Sequence, residues 1–101
     1  MIVPERKTKM EITWKQELSN LYSSNPLLGG KVLLHIYFLI TENYSVTLHV
    51  KGSLYPWEKL ADFSTLEQAK TFSELWLAAA TSQKTAYPNI KEIIEYVQQK
   101  E

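Results

Sequence analysis

The two histidines of the chain, His35 and His49, are the residues best suited to chemistry. Imidazole nitrogens bind divalent metals and transfer protons near neutral pH. If residue 40 pairs with residue 44 across a hairpin, the two residue numbers of every pair add up to 84. His35 then lies directly opposite His49. Glu58, on the next segment, would supply a carboxylate to the same face. One hypothesis is therefore a small enzyme, or a metal- or ligand-binding site, that uses His35, His49 and Glu58.

The segments that would position these side chains alternate between apolar and polar residues, which is typical of half-buried strands. Residues 32–40 and 44–50 carry their apolar side chains at even positions, and residues 55–63 carry theirs at odd positions. The pattern predicts a three-stranded antiparallel meander with one apolar face. The residues expected on that face are Val32, Leu34, Ile36, Phe38, Ile40, Tyr44, Val46, Leu48, Val50, Tyr55, Trp57, Ala61 and Phe63.

The turns fix how these strands are expected to pair. A three-residue loop, 41–43, joins the first two strands in the register that sums to 84. Gly52-Ser53 suits a type II′ turn into the third strand. Pro56 cannot donate a backbone hydrogen bond, so the third strand is expected at an edge of the sheet, unless the N-terminal segment adds beyond it around a bulge.

Helix signals flank this sheet. Ser64 and Glu67 have the spacing of a capping box, and the helix that follows has an apolar stripe expected to pack on the apolar sheet face. Asn89 and Glu92 have the same form before a last helix with a narrow apolar seam. Near the N-terminus, helical spacing favours a helix over 14–23, although alternation of Met10 and its successors also resembles a short strand.

The sequence thus predicts the α+β class as a single domain over 1–101: a three- to four-stranded antiparallel meander, an N-terminal helix and two C-terminal helices, one of them packed on the apolar sheet face. Residues 1–9 are polar and charged, and are expected to be disordered.

The sheet face opposite the core is called the mixed face, because it carries both polar and apolar side chains. An N-terminal helix bearing Trp14 and Leu18 would cover it, or another protein chain would. We expect a small non-catalytic protein-interaction or regulatory module that binds a protein partner or forms a homodimer. The expected interaction surface comprises Leu33, His35, Tyr37, Leu39, His49, Lys51, Tyr55, Trp57 and Leu60; Ser45 and Thr47 share the mixed face.

Composition limits the remaining functions. Eleven basic and eleven acidic side chains cancel, which argues against a nucleic-acid partner. The aromatic sheet still leaves a single-stranded nucleic-acid binder as a further alternative. The chain has no cysteine, so disulfides and thiolate metal sites are excluded. No cofactor motif and no membrane-spanning run is found in the sequence, and we expect a cytoplasmic protein without a cofactor.

Overall fold

Five strands form one antiparallel sheet in which each strand pairs with its neighbour in sequence. The computed structural model describes residues 12–52 and 57–99. The elements, in chain order, are β1 Trp14–Leu18, β2 Leu21–Ser24, β3 Val32–Phe38, β4 Tyr44–Val50, β5 Glu58–Phe63, α1 Leu66–Gln83 and α2 Ile90–Gln99. The α+β class is confirmed. The predictions for residues 1–9, the Gly52-Ser53 turn, Tyr55 and Pro56 involve residues outside the described part of the chain.

The predicted N-terminal helix over 14–23 is wrong, because this segment forms the hairpin of β1 and β2. Ser19 and Asn20, which both favour turns, separate the two strands, and β2 then pairs with β3. The backbone N–H and C=O groups of β2 find hydrogen-bond partners in β3, whereas a helix would have paired these groups within the segment itself. The sheet consequently has five strands instead of three or four, and the hairpin adds beside β3, away from β5.

The register of β3 and β4 also differs from the prediction. Partner numbers sum to 82, so His35 lies opposite Thr47, and His49 lies opposite Leu33. The loop does have three residues, but it starts one residue earlier: Leu39 pairs with Asn43, and Glu42 takes the left-handed conformation with φ of 67°. Ile40, predicted in the core, is 97% exposed at the loop tip.

The core lies between the even-numbered face of β3 and β4 and the apolar stripe of α1, as predicted. Trp76 and Phe72 of α1 are fully buried against Leu34, Ile36 and Leu48 of the sheet. Each large side chain removed from water contributes about 1.5–3 kcal/mol of transfer free energy. The helix α2 then packs beside α1 through Val97, which is buried.

Strand β5 forms an edge of the described sheet, as predicted. It also contains a bulge, which was not predicted and which changes the face on which its side chains lie. Val46 and Thr47 are consecutive in β4, but their partners in β5 are Ala61 and Lys59. Leu60, which lies between these partners, is therefore an extra residue. An extra residue reverses which face the following side chains occupy. Ala61 and Phe63 are therefore buried in the core, whereas Trp57 and Lys59 belong to the mixed face.

The first turn of α1 is capped by Thr65 rather than by the predicted Ser64. The Thr65 hydroxyl accepts a hydrogen bond of 3.1 Å from the backbone N–H of Gln68. The Ser64 hydroxyl instead donates to the Gln68 side-chain oxygen. In α2 the predicted cap is confirmed, because Asn89 Oδ1 accepts from the backbone N–H of Glu92 at 3.3 Å.

The capping geometry gives a test with a matched control. Replacing Thr65 by alanine is expected to lower the free energy of unfolding by about 1 kcal/mol, since a helix amide loses its acceptor. Replacing Ser64 by alanine is expected to cost less, because that residue caps no backbone group. Urea unfolding followed by circular dichroism measures both, and an equal or larger loss for S64A would contradict the assignment.

Candidate functional site

The mixed face carries a cluster of four rings at its centre, called here the aromatic–histidine cluster and consisting of His35, Tyr37, His49 and Trp57. Trp57 lies across both imidazoles, with ring centroids 4.4 Å from His35 and 4.6 Å from His49. The ring planes are tilted by 33° and 36°, respectively. The Tyr37 and His35 rings form a T-shaped pair, with 5.8 Å between their centroids.

Local strand geometry explains how the cluster assembles. His35 and Tyr37 are two residues apart on β3, so their side chains leave the same face. His49 is diagonal to His35 because the latter pairs with Thr47. The bulge at Leu60 brings Trp57 onto this face from the neighbouring edge strand, where it bridges the diagonal.

Burial controls the protonation of His35. Partial removal of its imidazole from water lowers the pKa of His35 below its ordinary value. The nearby Glu17 carboxylate opposes this change, and the positive charge that His49 can carry reinforces it. His35 therefore prefers the neutral form more strongly in the folded chain than in the unfolded chain. Its Nδ1 lies 3.4 Å from the Tyr37 hydroxyl, at the long end of hydrogen-bonding distance.

The hairpin of β1 and β2 extends the mixed face on the side of β3. Leu21 pairs with Tyr37, and Ser23 pairs with His35, so both share the face of the cluster. The Ser23 hydroxyl donates a hydrogen bond of 2.8 Å to Glu17. On the other side, Lys59 forms an ion pair with Asp62 at 2.9 Å. Charges of both signs therefore surround the aromatic centre.

The predicted site residues divide into three groups. His35, Tyr37, His49 and Trp57 come together, and Leu33 lies beside them as the partner of His49. Leu39 flanks the hairpin loop as the partner of Asn43, and Lys51 lies in the turn after β4. Leu60, the bulged residue, is partly buried against the core. Tyr55 is outside the described residues.

Glu58 does not join the histidines as the metal hypothesis required. It pairs with Leu48, whose side chain is in the core, so Glu58 projects from the face opposite the imidazoles. Within residues 12–52 and 57–99, no three His, Cys, Asp or Glu side chains are grouped as a metal site would need.

The contact of Trp57 with the histidines is not predicted from the sequence, although Lys59 indicates it. Without a bulge, Lys59 would share the core face with Trp57, Ala61 and Phe63, which is a costly place for an ammonium group. An extra residue at Leu60 removes that conflict and moves Lys59 and Trp57 together.

No protein-family model, curated protein or solved structure matches this chain. Among the described residues, neither helix has the length and apolar character required to cross a membrane.

The burial of His35 predicts a pH dependence of stability. Because the unfolded chain binds the proton more readily, the free energy of unfolding is highest above the unfolded-state pKa of about 6.5 and falls as the pH drops through that value towards the lower folded-state pKa. NMR titration should give a pKa for His35 below that of a free histidine. Urea unfolding from about pH 7.5 to about pH 5 should show a shallower decline for H35Q than for the wild type. A His35 pKa at or above the ordinary value would contradict the assignment.

Trp57 shields the His35 imidazole from water, so removing Trp57 is expected to change the pKa of His35. In the variant Trp57→Ala, water reaches the His35 imidazole, so its pKa should rise towards the ordinary value. Tyr87→Ala, which removes another exposed aromatic ring that is not in the cluster, serves as the control and should leave the titration unchanged. An identical His35 pKa in W57A and the wild type would show that Trp57 does not shield the ring.

Proposed function

We propose that this chain is a non-catalytic interaction module that binds a protein partner through the mixed face. The observation that carries the proposal is the aromatic–histidine cluster, which lies at the centre of a sheet face opposite the face occupied by α1. Trp57 is 44% exposed although it contacts two rings, so a large apolar surface remains in contact with water. Exposed apolar patches rimmed by polar groups are typical of interaction sites.

The size of the mixed face fits a protein contact. Five strands spaced about 4.8 Å apart, each about six residues long at about 3.3 Å per residue, give a surface of about 400 Å². The accessible area of the side chains is larger than this flat outline, so the face is on the order of the roughly 800 Å² that each partner contributes to a stable interface of standard size.

The chemistry of the surface favours a protein over other partners. Tryptophan and tyrosine are enriched among the residues that dominate protein–protein binding energies. The surrounding charges are of both signs, and Lys59 is already paired with Asp62. Such a rim complements another protein surface, which includes a second copy of this chain in a homodimer.

The two alternative functions have less support. Stacking of single-stranded nucleic acid on Trp57 is compatible with its exposure, but such binders also use a positively charged groove, and this chain has no net charge and a single arginine. An enzyme that uses the His35 and His49 pair would need further groups, and Glu58 projects from the other face. We therefore retain the interaction module as the proposed function.

A photo-crosslinking side chain tests the proposal where the partner is unknown. Benzoylphenylalanine at Thr47, in the middle of the mixed face, should form covalent adducts with protein in cells that express the chain. The same side chain at Glu74, on the exposed side of α1, is the matched control and should form fewer. Mass spectrometry of the adducts distinguishes a second copy from a different protein.

The substitution W57A should reduce the Thr47 adducts by at least about fivefold, because removal of a central aromatic residue commonly costs 1 kcal/mol or more of binding free energy. Circular dichroism checks that each variant remains folded. Equal adduct yields from Thr47 and Glu74, or yields that W57A leaves unchanged, would overturn the proposal.

A further inference from the structure

A cleft of about 410 Å³ opens at the end of the sheet where β3 begins and β4 ends. Its apolar wall includes Leu28, Val32, Val50 and Ala80, which belong to the β2–β3 loop, the two strands and the last turns of α1. The volume lies within the range of about 300–1,000 Å³ that is usual for small-ligand pockets. This cleft is on the helix side of the sheet and does not include any ring of the aromatic–histidine cluster.

The charged side chains that line the cleft are both basic. Lys31 comes from the β2–β3 loop, and Lys84 comes from the C-terminal end of α1. Thr81 and Thr85 add hydroxyl groups, and none of the described residues that line the cleft is acidic. An apolar wall combined with two ammonium groups complements a molecule that has an apolar chain and an anionic head.

Two turns fix the backbone at the cleft. Leu28 at a φ of 50° and Lys84 at a φ of 57° both line it. Lys84 is the C-cap of α1 and its backbone N–H bonds the carbonyl oxygen of Ala80, so its left-handed conformation is that of an ordinary helix end.

We propose that the cleft binds a single-chain amphipathic anion, a medium-chain carboxylate, whose hydrocarbon chain lies against Val32, Val50 and Ala80. Its carboxylate pairs with Lys31 and Lys84, and the hydroxyl groups of the threonines lie beside it. The ligand is a free molecule rather than a lipid in a bilayer, because the cleft holds a short chain and is formed from both the sheet and α1. This site is separate from the proposed protein-binding surface, so either proposal can fail without the other.

Decanoate, used well below its micellar concentration, tests the site in the full chain. In NMR titrations the amides of residues 28–32 and 80–86 should shift saturably, while those of Tyr37 and Thr47 on the mixed face should not. Decanol, which has the same chain without the charge, should bind at least about threefold more weakly.

Variants separate the contributions of charge and shape. K31Q and K84Q should each weaken decanoate binding by about threefold, whereas K15Q, which removes an exposed lysine outside the cleft, should leave it unchanged. T81W places a bulky ring at the mouth from an exposed helix position and should abolish binding even if a lysine variant proves unstable.

Saturable shifts confined to the cleft, weakened by K31Q, K84Q and T81W, would support the proposal. Shifts that do not saturate or that map to the mixed face, equal binding of decanol, or binding by the lysine variants equal to that of the wild type would overturn it. Binding to anionic lipid vesicles without binding to free decanoate would also overturn it, because the ligand source would then be a membrane.

Discussion

The single extra residue at Leu60 is the constraint on which the mixed face depends. On one side of the bulge, Ala61 and Phe63 fill the core beneath α1, and on the other side Trp57 crosses to the opposite face. A regular strand could not satisfy both demands, because alternate side chains would send Trp57 and Lys59 into the core. The bulge therefore gives the edge strand a buried end and an exposed aromatic end.

The alternating pattern of β3 and β4 predicted which side chains face the core but not which residues pair. Registers that sum to 84 and to 82 both keep Ile36, Leu34 and Leu48 on one face, because a change of two leaves the parity unchanged. The two registers differ in the position of the turn, which in the structure has Glu42 in the left-handed conformation. For this reason the histidines were correctly placed on one face but were wrongly predicted to be directly opposed.

Local sequence patterns predicted both C-terminal helices. The stripe of α1 around Phe72 and Trp76 and the Asn89 cap of α2 were both predicted from the sequence. The segment from Trp14 to Ser23 has helical spacing as well, but its backbone pairs with β3, and this tertiary pairing outweighs the weak local preference. The cleft beside Lys84 was not predictable, because it combines a loop, two strand ends and a helix end that are distant in sequence.

A nuclear Overhauser spectrum of the folded chain, which reports the protons that lie near the Trp57 indole, tests the position of Trp57 most directly. Cross-peaks are expected from Trp57 to the imidazole protons of both His35 and His49, since its ring centroid lies 4.4 Å and 4.6 Å from theirs. Cross-peaks from Trp57 to Leu48 and to α1, with none to either histidine, would show a regular strand with Trp57 in the core and would contradict the proposed binding face.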